Sequence, residues 1–215
     1  MTYLEAVNAV LRRLREDEVS FVNESEYSKL IGDFVNDAKR LAEDSWDWTG
    51  LYTETPITTV SGQSLYTLTG FKDRSKVITV HNETDNTVVR LESLKRIREM
   101  NLGTDSAVGT PIYYCLDNLD ANGDLTIRLY QTPNSAKELS VYGIKRTGLL
   151  TEDTDKILIP SNPVVQWAYA YALRERGETG GQSVSEQALF AQNDLATAIS
   201  LDAAHHPEDL IWETV

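Results

Sequence analysis

A chain of 215 residues, 41% of them hydrophobic, is long enough to bury about 70% of the surface it exposes when extended, so it needs no disulfide staples. A formal charge of −13 and a pI near 4.6 argue against tight binding to a phosphate backbone, which requires clustered Lys and Arg to displace counterions. The single cysteine excludes an intramolecular disulfide and fits folding in the cytosol. With no basic leader ahead of an apolar stretch and no run of about 20 apolar residues, a soluble protein without a membrane span is expected.

The first periodic segment, residues 3–14, places Tyr3, Leu4, Val7, Val10, Leu11 and Leu14 on one helical face. Asn23 followed by Glu26 resembles a capping box, and Tyr27, Leu30, Ile31, Phe34, Ala38 and Leu41 continue a second helix to about Asp44. Trp46 and Trp48 close it. Two residues apart in extended chain, they face one side and are expected to plug a junction between domains.

From Leu51 the period becomes strand-like. Residues 51–60, 65–68, 76–81, 87–91, 112–116, 125–130 and 139–144 read as strands separated by turn residues. Ser93 caps a short helix over 94–100 with Lys95, Arg96 and Arg98, a small basic patch expected to be a solvated face. Asn118, Asp120, Asn122 and Gly123 have the early spacing of a calcium loop, but Leu129 stands where the closing Glu belongs. Asn122-Gly123 is also a strong hairpin signal, so a metal-free hairpin is expected.

Residues 157–159 form a short apolar, strand-like run ended by Pro160. A helix then starts with Asn162 as N-cap and Pro163 at the first position, and ends at Gly177. Its apolar arc covers roughly 240°, about twice what a surface helix needs, so several neighbours are expected around it, some from another chain. A last helix, capped by Ser183 or Ser185, presents Ala188, Ala191, Leu195, Ala198 and Ile199 as a small-residue face. Beyond it, Leu210, Ile211 and Trp212 are large apolar groups in an otherwise polar tail.

This order defines an α+β fold: a four-helix bundle-like domain with a β-rich antiparallel domain inserted between its second and third helices. The expected boundaries are 1–48 and 155–215 for the discontinuous helical domain, including a C-terminal tail from about 204, and 49–154 for the insert. Such an insertion is tolerable because loop-closure entropy grows only with the logarithm of length.

No catalytic constellation emerges. Gly180-Gly181 and the stretch from Gly103 to Gly109 lack the spacing of a phosphate loop. His81 has no nucleophile beside it, and the adjacent His205 and His206 make a poor chelate. Cys115 reads as a small buried hydrophobe. No enzyme, cofactor or metal is expected. The acidic clumps Glu16-Asp17-Glu18, Glu43-Asp44, Glu152-Asp153 and Glu208-Asp209 read as solvated caps and turns, on a surface that would repel passing DNA.

Tyr3-Leu4-Glu5-Ala6-Val7-Asn8-Ala9-Val10-Leu11, Trp46-Asp47-Trp48, Leu129-Tyr130-Gln131-Thr132-Pro133 with the strand 139–146, and Ile157-Leu158-Ile159-Pro160 leading into 165–176 resemble the head-to-tail adaptors of short-tailed bacteriophages, also called portal adaptors or tail tubular protein A. The resemblance implies a structural protein of the virion, made in the host cytoplasm. It implies a homo-oligomeric ring, commonly a dodecamer, that joins the portal to the tail nozzle and lets DNA pass without sequence-specific binding. The helical domain would meet the portal and neighbouring subunits, with Trp167, Tyr169 and Tyr171 as subunit-interface residues. The β domain would face the tail. Leu210, Ile211 and Trp212 would anchor the tail in the portal or fold back on their own bundle. Other readings are a different tail or tail-completion component, or a ligand-binding β domain using Tyr113, Tyr114, Tyr130 and Tyr142.

Overall fold

A computed structural model of the chain describes residues 1–102, 107–177 and 184–205. It divides into two compact units, Met1–Gly50 with Gly148–Val215, and Leu51–Thr147. The fold is α+β, with two helices, a β-sheet insert, and two further helices that return to the first pair.

In the helical unit, α1 (Tyr3–Arg13) starts with a capping box. The Thr2 side chain accepts the Glu5 N–H at 3.2 Å and the Glu5 carboxylate accepts the Thr2 N–H at 2.7 Å, while Arg12 and Arg13 in the last turn complement the helix dipole. The second helix, α2 (Glu26–Ser45), is capped by Ser25 and Ser28 rather than by Asn23 and Glu26. Val22–Glu24 forms a separate 3-10 turn, and the Ser28 hydroxyl donates back to the Val22 carbonyl, so the helix cannot begin until the chain has left that turn.

Helix α4 (Ser161–Arg176) packs against α1, α2 and α5 (Val184–Ala203). The buried side chains of these three helices include Ala6, Val7 and Val10 on α1, Ile31, Val35, Ala38 and Ala42 on α2, and Ala191 and Leu195 on α5. Small side chains let the axes approach. At Gly32 on α2 an added Cβ would lie 2.4 Å from the Tyr3 hydroxyl, so only glycine admits the phenol of α1 there. That phenol is buried beside Asn36, and desolvation, with the charges of Asp33 and Asp153, pushes its pKa up to about 12.

The returning chain is fastened to α2 by polar groups in its interior. Asn36 donates to the Leu150 carbonyl at 3.1 Å and accepts the Leu150 N–H at 2.8 Å. One turn on, Lys39 donates to the Gly148 carbonyl at 2.8 Å and pairs with Glu43 at 2.9 Å, with side-chain exposures of 3% and 0%. Glu43 is therefore a buried ion-pair partner and not the solvated cap its acidic neighbourhood suggests. The Asp155 carboxylate accepts the N–H groups of Thr151 and Glu152, and those bonds hold its pKa below the usual carboxylate value.

Two expectations for this return are corrected. Residues 157–159 form no strand; Thr2 and Lys156 make an isolated bridge, and Ile157 and Ile159 are buried while Leu158 is exposed. The alternation is strand-like, but no partner strand continues past the bridge. Helix α4 begins at Ser161 after Pro160, which makes no side-chain cap. Pro163 thus falls at the third helical position, where its missing N–H is still no loss, and Gly177 ends the helix in the left-handed region at φ 63°.

The β unit holds β1 (Tyr52–Thr58), β2 (Leu65–Thr67), β3 (Lys76–Asn82), β4 (Thr87–Leu91), α3 (Leu94–Met100), β5 (Val108–Gly109), β6 (Tyr113–Leu119), β7 (Leu125–Tyr130), β8 (Thr132–Pro133) and β9 (Glu138–Ile144). Seven strands form one sheet in the order β1-β9-β3-β4-β6-β7-β2. Each contributes to a single cluster that includes Tyr66, Val80, Val89, Tyr114, Ile127, Leu129, Leu139 and Val141, with Ile57 against it.

Pairing is antiparallel except between β4 and β6, and between the short β5 and β8. The sheet is antiparallel as expected apart from β4/β6, where the chain passes through α3 between the two strands, and a crossover of that kind makes parallel neighbours possible. The 120–124 turn is a hairpin, as expected: Gly123 adopts φ 76°, and the Asp120 carboxylate accepts the N–H groups of Asn122 and Asp124. Cys115 is buried, and burial pushes its thiol pKa up.

The buried pair gives a direct test. Lys39→Met leaves Glu43 unpaired and is expected to lower stability by about 3–5 kcal/mol, read as a lower denaturant midpoint with unchanged slope. Adding Glu43→Leu is expected to recover most of the loss.

Candidate interaction surface of the helical unit

Helix α4 is apolar around most of its circumference, and α1, α2 and α5 cover it unevenly. Val164, Val165, Ala168, Ala172 and Leu173 are buried, whereas Trp167, Tyr169 and Tyr171 are half-buried. At 100° per residue Trp167 and Tyr171 lie about 40° apart, and Tyr169 lies about 160° away from each of them. The structure thus brings two of the three expected interface residues together and sends the third to another flank.

Trp167 and Tyr171 contact each other with ring centroids 5.9 Å apart, and Phe34 of α2 meets Tyr171 edge-on at 6.2 Å and 60°. Such pairs add about 0.5–1.5 kcal/mol beyond area burial. The cluster borders an open groove of about 560 Å³ lined by Phe34, Asp37, Tyr171, Arg174 and Glu175. Burial, then the nearby Asp37 carboxylate, raises the Tyr171 pKa, so its hydroxyl stays protonated at neutral pH. The Trp167 indole N–H is shielded from solvent and has no hydrogen-bond acceptor among the described residues, an arrangement that costs about 1–3 kcal/mol.

Helix α5 adds a second uncovered surface. Gln187, Ala191 and Leu195 are buried and Ala188, Ala198 and Ile199 half-buried, so the small-residue face does meet the bundle. Leu189, Phe190 and Leu201 are 59%, 54% and 69% exposed. Polar contacts fix its register: Gln187 donates to Gln166 at 2.9 Å, Asn162 to Asp194 at 2.6 Å, and the Trp46 indole to Asp202 at 3.0 Å. Trp48 is buried, its indole donating to the Ala42 carbonyl at 2.7 Å, and Trp46 is only half-buried.

Leu210, Ile211 and Trp212 lie outside the described residues. Phe34, Asp37, Arg174 and Glu175 went unassigned as interface residues in the sequence, because Phe34 sits on a core-like period and the other three look like ordinary surface charges. The exposed Leu189 and Phe190 were legible only as residues the small-residue face leaves over.

The tyrosines of the β unit form no common site. Tyr114 is in the core, Tyr113 and Tyr130 stack across strands at 6.4 Å, and Tyr142 contacts His81 at 5.1 Å. Among the described residues no helix is long and apolar enough to cross a membrane.

A helical unit with aromatic and aliphatic surface left open, carrying an inserted β unit, has the properties of a structural subunit built for contact with other chains. The chain matches the model of the SU10 adaptor protein family over residues 1–208 and belongs to that family of phage head-tail adaptors. No curated protein matches it.

Tyr171 tests whether the groove is surface or core. Because the residue is only half-buried, Tyr171→Ala is expected to cost about 1–2 kcal/mol in a denaturant titration, well short of the 3–5 kcal/mol typical of an aromatic removed from a core.

Proposed function

We propose that copies of this chain assemble into a ring, a dodecamer by family resemblance, that joins the portal to the tail nozzle at the head-tail junction of a virion. Family membership over nearly the whole chain supports an adaptor role. The observation that carries the ring is the apolar surface a lone subunit leaves open: Trp167 and Tyr171 with Phe34, and Leu189, Phe190 and Leu201 on α5. Exposed apolar surface on two flanks of one unit marks sites of interaction, and a subunit in a ring has a neighbour on each side.

In this reading the helical unit meets the portal and the adjacent subunits, Trp167, Tyr169 and Tyr171 contribute to subunit contacts, and the β unit faces the nozzle. Genomic DNA passes through a conduit whose walls carry excess negative charge, which keeps it mobile without sequence-specific contacts. The role is structural, with no catalytic step and no cofactor. Leu210, Ile211 and Trp212 anchor the C-terminal segment in the portal, as buried aromatic and aliphatic groups commonly do at such contacts.

Mass measurement on the purified protein, alone and mixed with the portal complex, is expected to show a closed oligomer in at least one condition. A monomer in both, with no co-migration, overturns the ring. Deleting residues 205–215 is expected to weaken portal attachment while leaving a cooperative thermal transition. Loss of that transition would assign the segment to the subunit's own core.

A further inference from the structure

The net charge of the chain is not spread evenly. Residues 1–50 and 148–215 hold nine Lys and Arg against 22 Asp and Glu, while residues 51–147 hold 11 against 11. The whole surplus of −13 therefore belongs to the helical unit. The aromatic groove shares that sign, with Asp37 and Glu175 against Arg174 along its lining.

The β unit, neutral as a whole, carries a dense run of cations between Arg90 and Leu102. Arg90, Lys95, Arg96 and Arg98 stand there against Glu92 and Glu99. Burial of Ile97 fastens α3 to β6 and turns the charged side chains outward. Lys95 and Arg98 are 87% and 67% exposed, and their ion pairs, with Glu99 at 3.8 Å and Asp117 at 3.7 Å, are long. Leu91 within the run and Leu102 at its end are themselves exposed. The result is a ridge both cationic and apolar.

We propose that this ridge on one copy of the chain docks in the Phe34–Asp37–Tyr171–Glu175 groove of the next. The groove is lined by two carboxylates, one guanidinium and two aromatic rings, and the ridge offers Lys and Arg with two leucines. Guanidinium groups bind aromatic faces as well as carboxylates, and this chain already uses such a contact, with Arg176 lying 4.7 Å from the ring centre of Tyr27. The chain's own C-terminal segment is a poorer occupant, because its Glu208 and Asp209 would meet Asp37 and Glu175. A ridge and a groove are unlike surfaces, so their contact is head-to-tail, the kind that closes a ring. The inference rests on the ring reading and names the surfaces that make it.

Charge reversal tests it on the full chain. One variant carries Asp37→Lys with Glu175→Lys, the other Lys95→Glu with Arg96→Glu, and both are assayed with and without the portal complex by native mass measurement. Each alone is expected to lose at least about tenfold in self-association. An equimolar mixture is expected to regain it, because an alternating arrangement restores opposite charges at every contact. Rescue on mixing also shows that both variants are folded. Wild-type assembly by either variant alone, or a mixture that stays apart while the wild type assembles, overturns the ridge-in-groove contact and leaves the ring reading standing. A wild-type chain that never assembles overturns both.

Discussion

The buried pair of Lys39 and Glu43, with Asn36 one turn before it, is the constraint on which the helical unit depends. Its first two helices and its last two are separated by the whole β unit, so the bundle forms only if the chain comes back in one register. Loop-closure entropy is a weak obstacle, and apolar packing alone discriminates poorly between neighbouring registers. The Leu150 amide, satisfied at both ends by Asn36, and the Gly148 carbonyl, held by Lys39, accept one alignment. A buried ion pair adds little net stability over an apolar pair of the same volume. Its contribution here is to penalise every alignment that leaves it unpaired.

With the return fixed, α4 is placed among three neighbours and the remaining surface follows. Three helices cover the buried arc of α4 and leave the Trp167–Tyr171 flank open beside Phe34. Helix α5 lies on the other side of α4 through Gln166, Asn162 and a narrow seam of small residues, which leaves Leu189, Phe190 and Leu201 pointing away. The candidate interaction surface is thus a by-product of how the bundle closes.

The sequence made the period-driven features legible. The helices over 3–14 and 94–100, the end of α4 at Gly177, the strands over 87–91 and 125–130, and the switch from helical to strand period at Leu51 all follow from side-chain spacing and turn chemistry. What remained hidden depends on tertiary partners. Ser25 displaced Asn23 as the cap because Val22–Glu24 forms its own turn. The strand-like run at 157–159 lacks a partner strand. Glu43 is buried because Lys39 and the returning chain surround it, and no local pattern reports that. In the candidate surface, Trp167 and Tyr171 could be read from the apolar arc of one helix, whereas Phe34 and Asp37 come from a helix more than a hundred residues earlier.

One detail of the sheet concerns what the protein avoids. Strand β1 is an edge, paired with β9 alone, and Pro56 sits within it opposite Ser140. Proline offers no N–H to an incoming strand, and the opposite edge, β2, is only three residues long. Neither edge is a good template for another chain's backbone. Side-by-side growth of sheets into an open aggregate is therefore blocked at both ends, and any contact between copies has to be made through side chains.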